Sequence, residues 1–153
     1  MTFQKKILSW YRKNKVEFPW RLTNDPYKIW VSEIMLQQTQ VTTVIPFYNN
    51  WIQKFPTLND VANASDDDLF KYWEGLGYYN RVNNFRVACN EVIKKYNGKV
   101  PSEKVELMQL KGIGDYTSSA IASIAFNKKN YVIDGNVKRV MSRILCLKDY
   151  SKV

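Results

Sequence analysis

The chain contains no histidine and only two cysteines among its 153 residues, which excludes several common chemistries. Without imidazole there is no histidine general base, no serine–histidine triad and no histidine-ligated zinc. Two isolated thiols, Cys89 and Cys146, do not supply a four-cysteine zinc or iron–sulfur site. Both lie on apolar helical faces, which predicts two buried core residues. Acid–base catalysis must therefore come from carboxylates, lysine, tyrosine or these cysteines.

Long apolar runs are also missing from the sequence. No stretch approaches the roughly 18 apolar residues that span a bilayer, and the N-terminus lacks the apolar core of a signal peptide. We therefore expect a cytosolic protein that is neither secreted nor bound to a membrane. Lysine and arginine total 23 against 14 acidic residues, a net charge of +9. This balance favours a polyanionic partner such as DNA or RNA, although solubility alone explains it equally well.

Apolar residues recur with helical periodicity along almost the whole chain. This pattern predicts an all-α chain of about eight or nine helices. The sequence shows no repeats and no linkers. Asp25 before Pro26 predicts one helix start, and Ser65 before three acidic residues predicts another. Pro46 lies within a periodic stretch, so that helix either begins late or is kinked. Only residues 131–133 look like a strand, and they are too short to indicate a sheet.

Two segments late in the chain carry the strongest functional pattern. Residues 110–119, LKGIGDYTSS, predict a helix, a turn at Gly112 and Gly114, and a new helix. Free amides at such a helix start bind phosphate without a charged side chain. Asp134 then follows, between an apolar stretch and another helix start. A phosphate anchor beside a poised carboxylate suggests chemistry on a nucleic acid, although Asp134 taken alone is typical of a helix cap.

Five motifs, in order, resemble those of the adenine DNA glycosylases of the MutY family. This family belongs to the helix–hairpin–helix glycosylases, with the endonuclease III enzymes as close relatives. The motifs are FPWR at 18–21, SEIMLQQTQV at 32–41, WEGLGYY at 73–79, LKGIGDYTSS at 110–119 and DGNV at 134–137. One such motif is weak evidence, whereas five in order over nearly the whole chain are specific. The resemblance implies a six-helix barrel domain at 23–133, with residues 1–22 and 134–153 as parts of a truncated second helical domain.

The resemblance also implies an activity and a partner. Family members remove adenine mispaired with 8-oxoguanine or guanine, cutting the N-glycosidic bond after the adenine is flipped out of the duplex. The expected partner is double-stranded DNA, and we expect a monomer located in the cytoplasm, at the nucleoid, or in another DNA-containing compartment. Two alternatives stay open. One is a non-catalytic DNA-binding remnant that uses only the hairpin, and the other is a glycosylase of the same fold for thymine or an oxidised pyrimidine.

Four residues match catalytic positions of the family. Glu33 lies on an otherwise apolar helix, where burial would raise its pKa, and by resemblance it protonates the adenine; the alternative is a glutamate on the helix surface. Asp134 would stabilise the cationic sugar, and Asn136 would orient Asp134 or cap the helix itself. At Tyr116 the endonuclease III group has a lysine that forms a Schiff base, so tyrosine predicts a monofunctional enzyme. The alternative for Tyr116 is a half-buried tyrosine at a helix start.

A second set matches positions that contact DNA or the flipped base. It consists of Trp20, Arg21, Leu36, Gln37, Gln38, Leu76, Tyr78, Gly112 and Gly114. By resemblance, Gln38 inserts beside the flipped base, and Tyr78 is a wedge next to 8-oxoguanine with Leu76 in the same loop. Trp20 and Arg21 match residues near the adenine. The alternatives are solvated glutamines near a helix end, tyrosines in the core and an arginine on the surface.

Family members also have a four-cysteine segment that binds a [4Fe–4S] cluster and a domain that reads 8-oxoguanine. We expect neither in this chain, and hence no bound cofactor or metal. The sequence is then either a fragment of a longer enzyme or a shortened product with reduced or no activity. In either case the first helix, with Phe3, Ile7 and Leu8 on one face, would lack partners and leave an exposed apolar patch.

Overall fold

The computed structural model describes residues 2–148 as nine α-helices and one short 3-10 helix, with no strand in that range. The α-helices α1 to α9 are Phe3–Asn14, Pro26–Met35, Val41–Lys54, Leu58–Asn63, Asp66–Trp73, Asn80–Tyr96, Lys104–Leu107, Asp115–Phe126 and Gly135–Ile144. The 3-10 helix Pro19–Arg21 lies between α1 and α2. The all-α prediction is confirmed. Of the predicted unit 134–153, residues 149–153 lie outside the described residues.

Several helices begin where local side-chain chemistry predicts. Asp25 caps α2 by accepting hydrogen bonds from two first-turn amides, and Pro26 occupies the first helical position. Ser65 caps α5 in the same way, with three acidic residues in the first turn. Pro46 lies inside α3, which nevertheless begins at Val41, so this helix does not start late. These local signals determine where the helices begin, before any tertiary packing is considered.

The centre of the fold is α2, which packs against α8 and α3. From Ile29 to Met35 every α2 side chain is buried. The facing turns of α8 are buried from Thr117 to Ala122, and all of these residues except Ile121 are small, which lets the two helix backbones approach closely. The Tyr27 hydroxyl anchors the start of α2 by donating to the Phe55 carbonyl oxygen at 2.6 Å. Any side chain at the carboxyl end of α2 is therefore held by a rigid, fully packed helix.

Aromatic rings fill the space around α2. The Trp30 and Phe85 ring centroids are 4.8 Å apart, edge to face, and those of Trp51 and Trp73 are 5.4 Å apart in the same arrangement. Each such pair adds about 0.5–1.5 kcal/mol to the stabilisation from buried area. The indole Nε1 of Trp51 also donates to the Tyr27 hydroxyl at 3.2 Å. The aromatic cluster therefore connects helices from the first half of the described chain to α6.

The first and last described helices are packed less well. No α1 residue is buried, and Phe3, Ile7 and Leu8 are 46%, 48% and 54% exposed, so the predicted apolar patch is confirmed. Cys89 is buried in α6 as predicted, but the same prediction is wrong for Cys146, which is exposed. Cys146 follows the end of α9, a helix whose apolar residues are themselves largely exposed. Among residues 2–148, none of the helices has both the length and the apolar character needed to cross a bilayer.

Candidate active site

A pocket of about 650 Å³ opens where the carboxyl end of α2 meets the first turns of α6, α8 and α9. Its volume is in the range of about 300–1,000 Å³ that is typical of small-molecule sites. The pocket is lined by Arg21, Glu33, Leu36, Gln37, Gln38, Tyr78, Asn80, Arg81, Tyr116 and Asp134. The sequence predicts every one of these as a site residue except Asn80 and Arg81. Residues spread over more than a hundred positions thus converge on one cavity.

Glu33 is the buried acid of this pocket. Its side chain is only 3% exposed, so the alternative of a glutamate on the helix surface does not describe it. Burial raises the pKa of Glu33, and the positive charge of Arg21 opposes this rise. The Arg21 Nη2 atom is 3.9 Å from Glu33 Oε1, and Arg21 is itself 39% exposed, so the opposing effect is screened by water. The carboxyl group therefore keeps its proton to a higher pH than an ordinary glutamate does, because its pKa is raised.

Asp134 is the second carboxyl group of the pocket, in a more open and polar environment. One oxygen accepts a hydrogen bond from the Val137 amide at 2.7 Å, so Asp134 is the N-cap of α9. Its other oxygen accepts one from Asn136 Nδ2 at 3.2 Å. Asn136 is in turn held by Arg139, whose Nη2 donates to Asn136 Oδ1 at 2.9 Å. The cap interpretation is confirmed, and the same carboxylate lines the cavity that contains Glu33.

Tyr116 lies at the second position of α8 and is 44% exposed. Its pKa is raised, first by burial and then by the negative charges of Glu33 and Asp134, while Arg21 lowers it. Tyr116 lines the same pocket as both carboxyl groups. At neutral pH it is protonated and can donate a hydrogen bond. A half-buried tyrosine at a helix start is thus an accurate but incomplete description of this residue.

Two loops of unusual backbone conformation form the open side of the pocket. Gln38 follows α2 with φ of 57°, and Tyr78 precedes α6 with φ of 49°. Both angles are in the left-handed region, which is uncommon for residues with a side chain. Tyr78 is 63% exposed, so it is not a core aromatic. Beside Gln38, Gln37 Nε2 donates to Thr117 Oγ1 at 3.4 Å, which links this loop to α8.

Two of the predicted base-contacting residues are placed elsewhere. Trp20 is 1% exposed, and its ring stacks on Phe18 with the centroids 5.3 Å apart. Leu76 is 5% exposed and belongs to the same hydrophobic core. Neither residue lines the pocket, because both side chains pack into the core, while Arg21 and Tyr78 of the same motifs face the cavity. Both are core residues that support the pocket wall.

The glycine hairpin lies beside the pocket, at the start of α8. Gly112 has φ of 78°, and an added Cβ would lie 2.9 Å from the Cβ of Asn84, so glycine is required there. Gly114 differs, because its φ of −95° is ordinary and an added Cβ would meet nothing within 4 Å. Gly114 is the N-cap of α8 and makes no side-chain cap, which leaves the first amides of the helix open. The turn can therefore accept an anion such as a phosphate.

Sequence reasoning missed Arg81, which lines the pocket from the first turn of α6. Its guanidinium donates hydrogen bonds to main-chain oxygens of two separate loops. The contacts to the loop after α2 join residues more than forty positions apart, and bonds to main-chain oxygens leave no periodic or spacing signal. The only clue in the sequence is an arginine directly after the WEGLGYYN segment. Asn80, beside it, is exposed and was also missed.

Comparison with known sequences gives a consistent result. Residues 31–153 match the family described as HhH-GPD superfamily base excision DNA repair protein. The chain is 46% identical to the adenine DNA glycosylase of Rattus norvegicus over 93% of its own length and 29% of that protein. The adenine DNA glycosylase of Buchnera aphidicola subsp. Baizongia pistaciae is 42% identical over 94% of the chain and 41% of that protein. The chain thus spans well under half of the length of these relatives.

Solved structures agree with the fold. A thermostable thymine-DNA glycosylase superposes with a TM-score of 0.91 at 30% identity, covering 99% of this chain and 70% of that one. Endonuclease III in a non-covalent DNA complex superposes with a TM-score of 0.80 at 22% identity, covering 99% of this chain and 75% of that one. At that lower identity the second similarity shows the fold alone. The predicted helix–hairpin–helix glycosylase architecture is confirmed.

Proposed function

Since the chain belongs to the HhH-GPD superfamily of base excision DNA repair proteins, we propose that it releases adenine mispaired with 8-oxoguanine or guanine. The observation that supports this most directly is one pocket lined by two carboxyl groups in different environments. Glu33 is buried and holds its proton to a higher pH than an ordinary glutamate, whereas Asp134 is a half-buried helix cap. Glycosidic bond cleavage needs an acid for the leaving group and a negative charge for the developing cation.

The proposed reaction uses these two groups in sequence. Glu33 donates its proton to a ring nitrogen of the flipped adenine, and the bond between C1′ and the base breaks with both electrons going to the base. The deoxyribose then carries the positive charge, which the Asp134 carboxylate stabilises. A water molecule adds its oxygen to C1′ and gives up one proton, which restores the acid form of Glu33, and an abasic site remains. Asn136 orients Asp134 through the hydrogen bond between their side chains.

Tyr116 supports a monofunctional reaction. A phenol has no amine with which to form a Schiff base, so the chain has no covalent route to strand cleavage at this position. Because its pKa is raised, Tyr116 remains a hydrogen-bond donor at neutral pH. It lies near both carboxyl groups, where it can position the sugar or the attacking water. The product is then an abasic site in an intact strand.

DNA binding uses the hairpin and the two loops around the pocket. The open amides at the start of α8 hold one phosphate, and the net charge of +9 supplies attraction to the duplex. Gln38 and Tyr78, both exposed at the mouth of the pocket, enter the base stack as the adenine leaves it. The chain acts as a monomer on double-stranded DNA.

The iron–sulfur cluster of the family does not fit the residues of this chain. A [4Fe–4S] cluster needs four thiolates, and the chain has two cysteines. Cys89 is buried in α6, where burial raises its pKa well above the ordinary value of a thiol. Among the described residues no group of three or more histidine, cysteine or acidic side chains is arranged to hold a metal ion. No step of the proposed reaction depends on the cluster.

The test is single-turnover base release with the protein in excess over the DNA. Duplexes carry a single adenine opposite 8-oxoguanine, guanine or thymine, and free adenine and strand breaks before alkali are measured separately. We expect adenine release from the first two duplexes without strand breaks. Glu33→Gln should slow release by about 100-fold or more, because the proton donor is lost. Glu17→Gln makes the same substitution at a glutamate that is 66% exposed and outside the pocket, and it serves as the control. Unchanged release from Glu33→Gln would refute the assignment of the acid.

A second candidate function has an observation in its favour, which is the similarity to a thymine-DNA glycosylase over 99% of the chain. A duplex with thymine opposite guanine therefore belongs in the same panel, and release of thymine instead of adenine would favour this candidate. Salt-dependent binding with no base release from any duplex would indicate a DNA-binding remnant instead.

A further inference from the structure

We propose that Arg81 is a positioning residue that holds the two DNA-entering loops of the pocket in register with each other. The first loop consists of residues 36–40 and the second of residues 74–79. The inference rests on the proposed function, since it assigns these loops to DNA. It does not make Arg81 a catalytic residue, because its hydrogen bonds go to the main chain and one hydroxyl of the loops rather than to Glu33 or Asp134.

One side of the guanidinium binds the end of α2 and the first loop. Nη1 donates to the carbonyl oxygens of Ile34 at 2.9 Å, Met35 at 3.1 Å and Gln37 at 2.5 Å. The last carbonyl groups of a helix lack the full set of partners within the helix, and among the described residues Ile34 O and Gln37 O are otherwise bound only by longer contacts of 3.3–3.4 Å from Gln37 N and Thr39 Oγ1. A guanidinium is well suited because its charge strengthens each of these hydrogen bonds.

The other side of the guanidinium binds the second loop. Nη2 donates to the carbonyl oxygens of Leu76 at 3.0 Å and Gly77 at 3.1 Å. The guanidinium carbon also lies 5.3 Å from the centre of the Trp73 ring and 5.5 Å from that of Tyr78. Both distances are within the range of cation–π attraction. One side chain therefore bridges two loops that are separated by about forty positions in the sequence.

Two of the bound carbonyl groups directly precede residues with a left-handed backbone. Gln37 O belongs to the peptide that precedes Gln38, and Gly77 O belongs to the peptide that precedes Tyr78. These are the two residues of the pocket with left-handed backbone angles, at φ of 57° and 49°. Such conformations persist only where the surroundings hold them. Each of these oxygens also accepts a bond from its own loop region, Gly77 O from Trp73 Nε1 at 3.0 Å and Gln37 O from Thr39 Oγ1 at 3.4 Å. Arg81 contacts both peptide planes, so it ties the direction in which Gln38 leaves the surface to that of Tyr78.

Arginine is required for this arrangement, and lysine does not replace it. A guanidinium presents donors in a rigid plane that points in two directions at once, whereas an ammonium is a single point of charge. Arg81→Lys keeps the charge, but a single ammonium group does not hold the carbonyl oxygens of both loops in fixed directions at once, so neither loop is fixed relative to the other. We therefore expect both loops to loosen together while the hairpin and the two carboxyl groups stay in place.

The first experiment measures amide hydrogen exchange in wild type, Arg81→Lys and Arg86→Lys. Arg86 lies on the same helix, is paired with Asp66, and is outside the pocket, so it controls for the chemistry of the substitution. For Arg81→Lys we expect exchange in both residues 36–40 and residues 74–79 to rise about tenfold or more, with the hairpin at 110–119 unchanged. Loosening of neither loop, of one loop alone, or of the whole chain would overturn the proposal.

The second experiment measures the ratio of affinities for a mispaired and a fully paired duplex, together with single-turnover base release. Arg81→Lys should lower this ratio and the rate of release by about tenfold or more, because misplaced loops extrude the base poorly. Affinity for fully paired DNA and the pH dependence of release should stay as in wild type. An unchanged ratio and rate would overturn the proposal. If wild type releases no base and has no mispair preference, the proposed function fails, and the exchange experiment alone decides whether Arg81 couples the loops.

Discussion

Gly112 is the position at which one added methyl group should damage the hairpin most. Its φ of 78° is in the left-handed region, and a new Cβ would lie 2.9 Å from the Cβ of Asn84. The Cβ of Asn84 is bonded directly to the backbone of α6, so it cannot rotate away as the end of a long side chain could. Gly112→Ala therefore forces the hairpin and α6 apart, or distorts one of them.

The magnitude can be separated into two contributions with a matched glycine. Gly98 has nearly the same φ, 75°, but an added Cβ there would meet nothing within 4 Å. Gly98→Ala should therefore cost only the left-handed conformation, about 1 kcal/mol of the free energy of unfolding. Gly112→Ala adds the cost of overpacking, about 1–3 kcal/mol. We expect a total loss of about 2–4 kcal/mol for Gly112→Ala, which is a large part of the stability of a small domain.

Urea denaturation of both variants and wild type measures the difference directly. The proposed phosphate-binding amides follow Gly112, so Gly112→Ala should also weaken DNA binding, while Gly98→Ala should leave binding unchanged. Adding Asn84→Gly removes the atom that Gly112→Ala would meet. Measured against Asn84→Gly alone, the cost of Gly112→Ala should then fall to that of Gly98→Ala. Equal losses in the two original variants would refute the steric argument.

Three further predictions concern the pKa of Glu33, the buried hydrogen bonds of Tyr27 and the salt dependence of DNA binding. Because burial raises the pKa of Glu33, the folded chain binds this proton more tightly than the unfolded chain, and the free energy of unfolding falls as pH rises above about 4. Glu33→Gln removes that loss, so the free energy of unfolding of the variant relative to wild type, measured by urea denaturation, should increase with pH. Parallel curves of unfolding free energy against pH for the two proteins would contradict the burial of Glu33. Tyr27→Phe leaves the Phe55 carbonyl oxygen and the Trp51 indole without their partner, so it should cost about 1–3 kcal/mol by the same assay, and a negligible loss would show that water replaces the hydroxyl. DNA affinity should fall steeply with salt concentration, as a double-logarithmic plot of binding against salt would show, and a flat plot would argue against phosphate contacts.

The helical fold could be predicted because its signals are local. Asp25 and Ser65 cap helices through hydrogen bonds to amides two or three positions away, and such short-range chemistry is visible in the sequence. The burial of Glu33 could be predicted for a similar reason, since Val31, Ile34 and Met35 beside it on α2 are apolar. The failure at Cys146 has a physical cause as well. Apolar periodicity reports that a helix has an apolar face, but it does not report whether anything covers that face.

The parts of the site that could not be predicted depend on contacts between distant residues. Arg81 contributes through carbonyl oxygens, which every residue has, so no pattern of side chains points to its partners. The inward orientation of Trp20 and Leu76 is a second example, because each motif contains both a supporting residue and a pocket residue. A motif locates the segment that forms a site. Packing decides which of its side chains faces the cavity.

Asp134 shows that a structural and a chemical role for one residue need not compete. Capping α9 requires an acceptor oxygen of fixed direction, since one oxygen must accept the Val137 amide. Stabilising a developing positive charge on the sugar requires a carboxylate whose direction is fixed in advance. The hydrogen bond from Asn136 holds the second oxygen. The cap thus prepares the carboxylate for the proposed reaction, and the same Asp-Gly-Asn segment serves both.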